Sequence, residues 1–169
     1  MDALQTIATR RSIRQFLPDA VDDGALDALL RAAMAAPSAG NQQSWRFVVV
    51  RDRARLDRLA VTSPFAGLLT QAPLAIVVCG ETAGARHAGF WVEDCCAAME
   101  NLLLAAHALG LGAVWLGFYP DEERVELVRD ELMIPDSVIP LGIAAVGHPD
   151  ESKPPTDRYE PTFVHSETW

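Results

Sequence analysis

Three arginines and a serine stand together in Arg10-Arg11-Ser12-Ile13-Arg14, in a chain whose net charge is −9. Bulk composition does not explain such a cluster. Arg10 and Arg14 are four apart and Arg11 and Arg14 three apart, so a helix here would place them on one face. Like charges that close repel unless an anion lies between them. A phosphate suits the set, because guanidinium forks match its oxygens and Ser12 adds a hydroxyl. A solvated basic face is the other reading, and these residues alone leave both open.

Three further groups look suited to binding. Residues 36–45, Ala-Pro-Ser-Ala-Gly-Asn-Gln-Gln-Ser-Trp, carry amides and hydroxyls beside a glycine. Such a loop can read the edge of a planar heterocycle through alternating donors and acceptors, although turn residues at a helix stop account for the same composition. In Trp115-Leu116-Gly117 a glycine within an apolar run permits close approach to the backbone. Lys153 and Arg158 are the basic residues of an otherwise acidic terminal stretch. Together the four groups ask for a ligand with an anionic end and a planar polar end, a description that flavin mononucleotide (FMN) meets.

Other chemistries find little support. Cys79, Cys95 and Cys96 are odd in number and sit in apolar runs, so they read as small core residues and not as a disulfide framework. The histidines at 87, 107, 148 and 165 are scattered, and no spacing suggests a metal site. His107 falls in an apolar helix and reads as a satisfied interior group. Ser38 lies outside any nucleophile elbow. Gly110-Leu111-Gly112 follows a helix and opens none, which excludes a dinucleotide fingerprint.

A chain of 169 residues, half of them hydrophobic, predicts one domain spanning 1–169. The acidic balance argues against nucleic acid and against an anionic membrane surface. The longest apolar run, 90–109, is broken by Glu93, Asp94, Glu100, Asn101 and His107, so it predicts a buried helix and no membrane span. The start lacks a signal-peptide pattern, and a cytoplasmic protein is expected.

These groups need elements to hold them. Periodicity predicts a helix over 3–10 with Leu4, Ile7 and Ala8 inward. A second helix starts at the N-cap Asp22 and stops by residue 36, because Pro37 follows. Strands are expected at 46–50, 74–79, 113–118 and 140–147, the second buried on both faces. Asp52 caps a short helix, and another covers 121–132. The long helix at 88–109 is apolar nearly all round, and a partner subunit would supply cover for it. Residues 150–161 read as an extended arm ending in apolar Phe163, Val164 and Trp169. That tail docks either on its own core or on a second subunit.

The chain resembles the nitroreductase-like family of FMN-dependent enzymes. The run 10–16 is similar to that family's phosphate-binding start. Residues 36–45 are similar to its flavin loop, with Ser44 where proline is usual. Glu93-Asp94, residues 101–106 and residues 110–117 resemble its central helix and the strand that follows. Gly147-His148-Pro149 with Lys153 and Arg158 resembles its closing segment. The resemblance implies an α+β fold, a mostly antiparallel sheet flanked by helices in an α/β/α sandwich. It also implies an intertwined homodimer whose C-terminal arm, 150–169, reaches the partner.

By the same resemblance, Arg10, Arg11, Ser12 and Arg14 bind FMN from one subunit, with Arg14 nearest the N1 and O2 edge of the ring. Pro37, Ser38, Ala39, Asn41 and Gln43 approach from the other subunit. Leu116 and Gly117 lie behind the ring, and Lys153 and Arg158 complete the phosphate clamp. The implied activity is NAD(P)H-dependent. Hydride passes to flavin N5, and a small electron-poor oxidant such as a nitroaromatic or quinone is then reduced. Arg14 is the residue expected to stabilise the charge that develops on reduction, with protons from water. Two alternatives stay open: a flavin carrier or sensor without turnover, and a family branch with other chemistry such as reductive dehalogenation.

Overall fold

A computed structural model describes residues 2–169. In chain order it comprises α1 (Ala3–Thr9), α2 (Asp23–Met34), β1 (Trp45–Val50), α3 (Arg53–Leu59), β2 (Leu74–Glu81), α4 (Trp91–Ala108), β3 (Gly112–Gly117), α5 (Glu122–Leu132) and β4 (Val138–Gly147). The strands form one sheet in the order β1-β2-β4-β3, and every neighbouring pair is antiparallel.

Strand alternation divides the core into two. On β2, Leu74, Ile76 and Val78 pack with α2 and α4 residues such as Leu29, Met99 and Leu102. Ala75, Val77 and Cys79 face the other way, among Leu56 and Leu59 of α3 and Val125 and Val128 of α5. The expected α+β sandwich follows, with β2 buried on both faces.

Short-range signals set the element ends. Asp22, Asp52 and Asp121 each accept from a first-turn amide, of Ala25, Arg55 and Arg124, at 2.8, 3.0 and 3.2 Å, as N-caps do. On α4 the buried residues Trp91, Asp94, Cys95, Ala98, Met99, Leu102, Leu103 and Ala106 form one stripe. The helix ends in a left-handed Gly110 at φ +78°. The Leu111 amide returns to the Ala106 carbonyl at 2.8 Å and the Gly110 amide to that of His107 at 3.0 Å, a Schellman closure that feeds directly into β3.

The N-terminal segment departs from expectation. Leu4 and Ile7, expected inward, are 79% and 59% exposed, and Ala8 is exposed as well. The helix instead buries Thr6 and meets α4 through a polar contact, the Thr9 hydroxyl lying 2.8 Å from His107 Nε2. Helix α1 stops at Thr9, and Arg10 has φ −56° and ψ 132°, so the arginines share no helical face. The chain runs extended beside β3, where the Ile13 amide donates to the Ala113 carbonyl at 3.0 Å. An open strand edge offers backbone partners that a helix periodicity does not reveal.

The arm lies away from the core. Residues 150–160 have no regular structure. Phe163, Val164 and Trp169 are 81%, 62% and 100% exposed, so the tail is not docked on its own core.

Candidate functional site

In an extended chain alternate side chains share a side, which separates Ser12 and Arg14 from Ile13, while the long Arg11 side chain reaches the cleft from the other side. Ile13 turns inward against Gly112, where an added Cβ would stand 2.7 Å from Ile13 Cγ2. Arg10, Ser12 and Arg14 line a cleft of about 350 Å³ together with Arg11, Lys153 and Arg158. Residues more than 140 positions apart are thus joined at one place. The arginine cluster with Ser12 and the two arm cations, singled out in the sequence as separate groups, meet there.

The contacts within the cleft sort its cations. Lys153 Nζ donates to the Ser12 carbonyl and to Glu151 Oε1, both at 2.9 Å. The same Glu151 oxygen accepts the Arg14 amide at 2.5 Å. That amide first, and then Lys153, holds the Glu151 carboxyl below its ordinary range. Arg11 Nη1 donates to the Pro154 carbonyl, and Arg10 lies 3.5 Å from Glu100. Among the described residues, Arg11, Arg14 and Arg158 form no salt bridge. Convergent, incompletely neutralised guanidinium groups beside a hydroxyl are the donor set a phosphate requires.

A second group forms apart from this cleft. Residues 37–44 make a tight loop in which Gly40, Asn41 and Gln43 have φ of +56°, +54° and +53°. The Ser38 hydroxyl accepts the Gln43 amide at 3.0 Å. Asp94, from the first turn of α4, organises the rest. Its carboxylate accepts from the Ala39 amide at 2.8 Å, from Gln42 Nε2 at 2.9 Å and from the Ser44 hydroxyl at 3.1 Å. Pro37, Ser38, Ala39, Asn41 and Gln43 do not line the arginine cleft.

Asp94 is only 3% exposed, and the sequence reading gave it no role. The available signal was an acid inside an apolar stripe, together with a hydroxyl at position 44 where the resembling family favours proline.

The third group lies on β3. The Leu116 side chain is buried between the sheet and the α3–α5 layer. Gly117 is exposed, and nothing lies within 4 Å of a Cβ built there, so the backbone face is open. Next to them the Trp115 indole N–H is buried without a partner. The cysteines take no part. Burial pushes the Cys79 and Cys95 thiols up to about 12, which leaves them un-ionised core groups. Among the described residues no helix is long and apolar enough to cross a membrane.

The fold and this cleft define a recognisable class. The model of the nitroreductase family matches residues 7–64 and 62–148, and the chain belongs to that family. A protein of Methanothermobacter thermautotrophicus provisionally named NADH dehydrogenase/NAD(P)H nitroreductase is 44% identical, over 100% of this chain and 88% of its own length. A crystal structure from Parabacteroides distasonis with the same provisional name superposes at TM-score 0.94 with 43% identity, covering 98% of each chain. A provisionally named nitroreductase from Desulfovibrio desulfuricans, solved in complex with FMN, superposes at TM-score 0.87 with 32% identity, covering 100% of this chain and 99% of that one.

Proposed function

We propose that the protein is an NAD(P)H-dependent FMN oxidoreductase that reduces small electron-poor organic molecules, quinones or nitroaromatics. The observation that carries this reading is the convergence of five cations and Ser12 on one cleft, in the fold of a family whose relatives bear FMN and NAD(P)H in their names. The donor set fits the phosphate of FMN. Arg10, Arg11, Ser12, Arg158 and Lys153 would hold that phosphate. Arg14 would meet the N1 and O2 edge of the ring, with Gly117 offering an open backbone face behind it. Bound FMN supplies hydride and electron transfer. The protein's own part is to orient the ring and to place the Arg14 charge where negative charge develops.

The loop at 37–44 would come from a second copy of the chain, since it stands outside the arginine cleft. Exposed Leu4, Ile7, Tyr159, Phe163 and Trp169 are the apolar surface such a homodimer would cover, with the arm crossing to the partner. The reading places the activity in the cytoplasm, where nicotinamide nucleotides are available.

The test is optical. The purified protein should show flavin absorption, bleach on anaerobic mixing with NADH or NADPH, and recover colour when a quinone is added. Protein that stays colourless after incubation with FMN, or coloured protein that neither nucleotide bleaches, overturns the proposal. Removing residues 150–169 should release flavin and leave a monomer; a yellow, stable monomer would refute the exchanged arm.

A further inference from the structure

The Asp94 carboxylate reaches past the loop. Because a carboxylate only accepts, the 2.9 Å contact to Gln42 fixes which end of the Gln42 amide is nitrogen. That orientation lets the amide close a two-bond rung with the backbone of His87. Gln42 Nε2 donates to the His87 carbonyl at 3.0 Å, and the His87 amide donates to Gln42 Oε1 at 3.0 Å. The His87 ring is also held close. A Cβ at Gly40 would stand 2.7 Å from its Cδ2 and 2.9 Å from its Nε2.

His87 belongs to the stretch 82–90, which links β2 to α4 and is mostly exposed. Its own backbone bonds are local: the Ala85 amide to Thr82 and the Phe90 amide to His87, at 3.1 and 3.0 Å. Among the described residues Gln42 is therefore the hydrogen-bonded tie between this stretch and the loop at 37–44. Flipping the amide would set donor against donor at His87 and leave the buried Asp94 oxygen facing an acceptor, so a single arrangement is favoured.

We propose that Gln42, oriented by buried Asp94, is a positioning residue that fixes the 82–90 stretch against the loop, so that wherever this loop meets the flavin held by a second copy, His87 beside Gly40 limits which oxidants reach the ring. The inference rests on the FMN reading for its functional half. Its structural half stands on the rung itself.

The test uses the FMN-loaded protein and two variants, Gln42→Met, which keeps the length of the side chain, and Gln42→Asn, which is too short to span both partners. Hydrogen exchange at the His87 amide should accelerate at least about tenfold in both, as expected when a closed rung opens. The ratio of KM for 1,4-benzoquinone to that for the bulkier 2-methyl-1,4-naphthoquinone should change at least about fivefold, with kcat moving less. Ser44→Ala, which removes another partner of Asp94 without touching His87, should leave that ratio alone.

An unchanged ratio in flavin-loaded Gln42 variants overturns the specificity role, and unchanged exchange at His87 overturns the tie. Should the wild-type protein take up no FMN, the flavin reading fails, while the exchange measurement still decides the tie.

Discussion

The Lys153 ammonium lies 2.9 Å from the Ser12 carbonyl oxygen, 141 residues away in sequence, and 2.9 Å from Glu151 Oε1. Two of its three donors are thus spent on protein, and the third is left for the cleft. Lys153 therefore does two things at once: it pins the start of the arm to the arginine segment and adds a charge beside it. Lys153→Met keeps the stem and removes both. Charge-assisted hydrogen bonds are worth about 1.5–3 kcal/mol, so FMN affinity should fall by about ten- to a hundredfold, measured by flavin fluorescence titration. Wild-type affinity in this variant would reduce Lys153 to a clip for the arm.

Arg14 is placed for a different effect. Its backbone is held by Glu151, while its guanidinium forms no salt bridge among the described residues and lines the cleft. A cation that meets charge appearing only on reduction speeds that step more than it aids binding. Arg14→Ala should slow anaerobic bleaching by NAD(P)H by about tenfold or more, and retain most of the flavin affinity. Stopped-flow absorbance separates the two. Retention of FMN with bleaching at the wild-type rate removes Arg14 from this role.

Features that depend on neighbours in sequence were legible before the structure. Asp22 and Asp52 cap helices as expected, and Asp121, expected inside its helix, caps it one residue before Glu122; the short β-branched apolar runs that became β1, β2 and β4 read as strands. The cationic cluster was legible as a set of residues, but its geometry was not. Spacing suggested a helical face, and the single parallel bridge of Ser12 to Ala113 imposed an extended chain, a pairing across about 100 residues that local pattern does not encode. Leu4 and Ile7 point outward for a related reason: a seven-residue helix has no stripe long enough to reveal which side meets the core. Asp94 escaped notice because its partners, Ala39, Gln42 and Ser44, lie 50 to 55 positions away.

Gly142 shows how close the middle of the sheet is to its packing limit. A Cβ added there would come 2.5 Å from Trp115 Nε1 and 2.6 Å from the Leu116 carbonyl oxygen. The indole could turn aside, but the carbonyl belongs to the β3–β4 ladder, where Leu116 pairs with Ile143 and Gly117 with Gly142. Gly142→Ala should therefore destabilise the fold by about 1–3 kcal/mol, the usual cost of overpacking. It should also shift β3 enough to weaken flavin binding at Gly117. Denaturant unfolding with FMN titration tests both, and wild-type stability would mean that the strands yield freely.

His107 makes the stability of the fold sensitive to pH. Burial first, and then the positive charge of Arg10, lowers its pKa from the ordinary 6.5. The neutral ring lies 2.8 Å from the Thr9 hydroxyl and so links α4 to α1. With the folded pKa below the unfolded one, the unfolded chain takes up the proton first as pH falls. The contribution of the neutral ring is therefore complete above about pH 6.5 and is lost progressively below it. His107→Gln removes the titrating group, so its stability should vary less with pH than that of the wild type between about pH 7.5 and 5. Thermal unfolding of the two proteins across this range is the measurement. A His107 resonance that titrates above 6.5 would reverse the sign and refute this account.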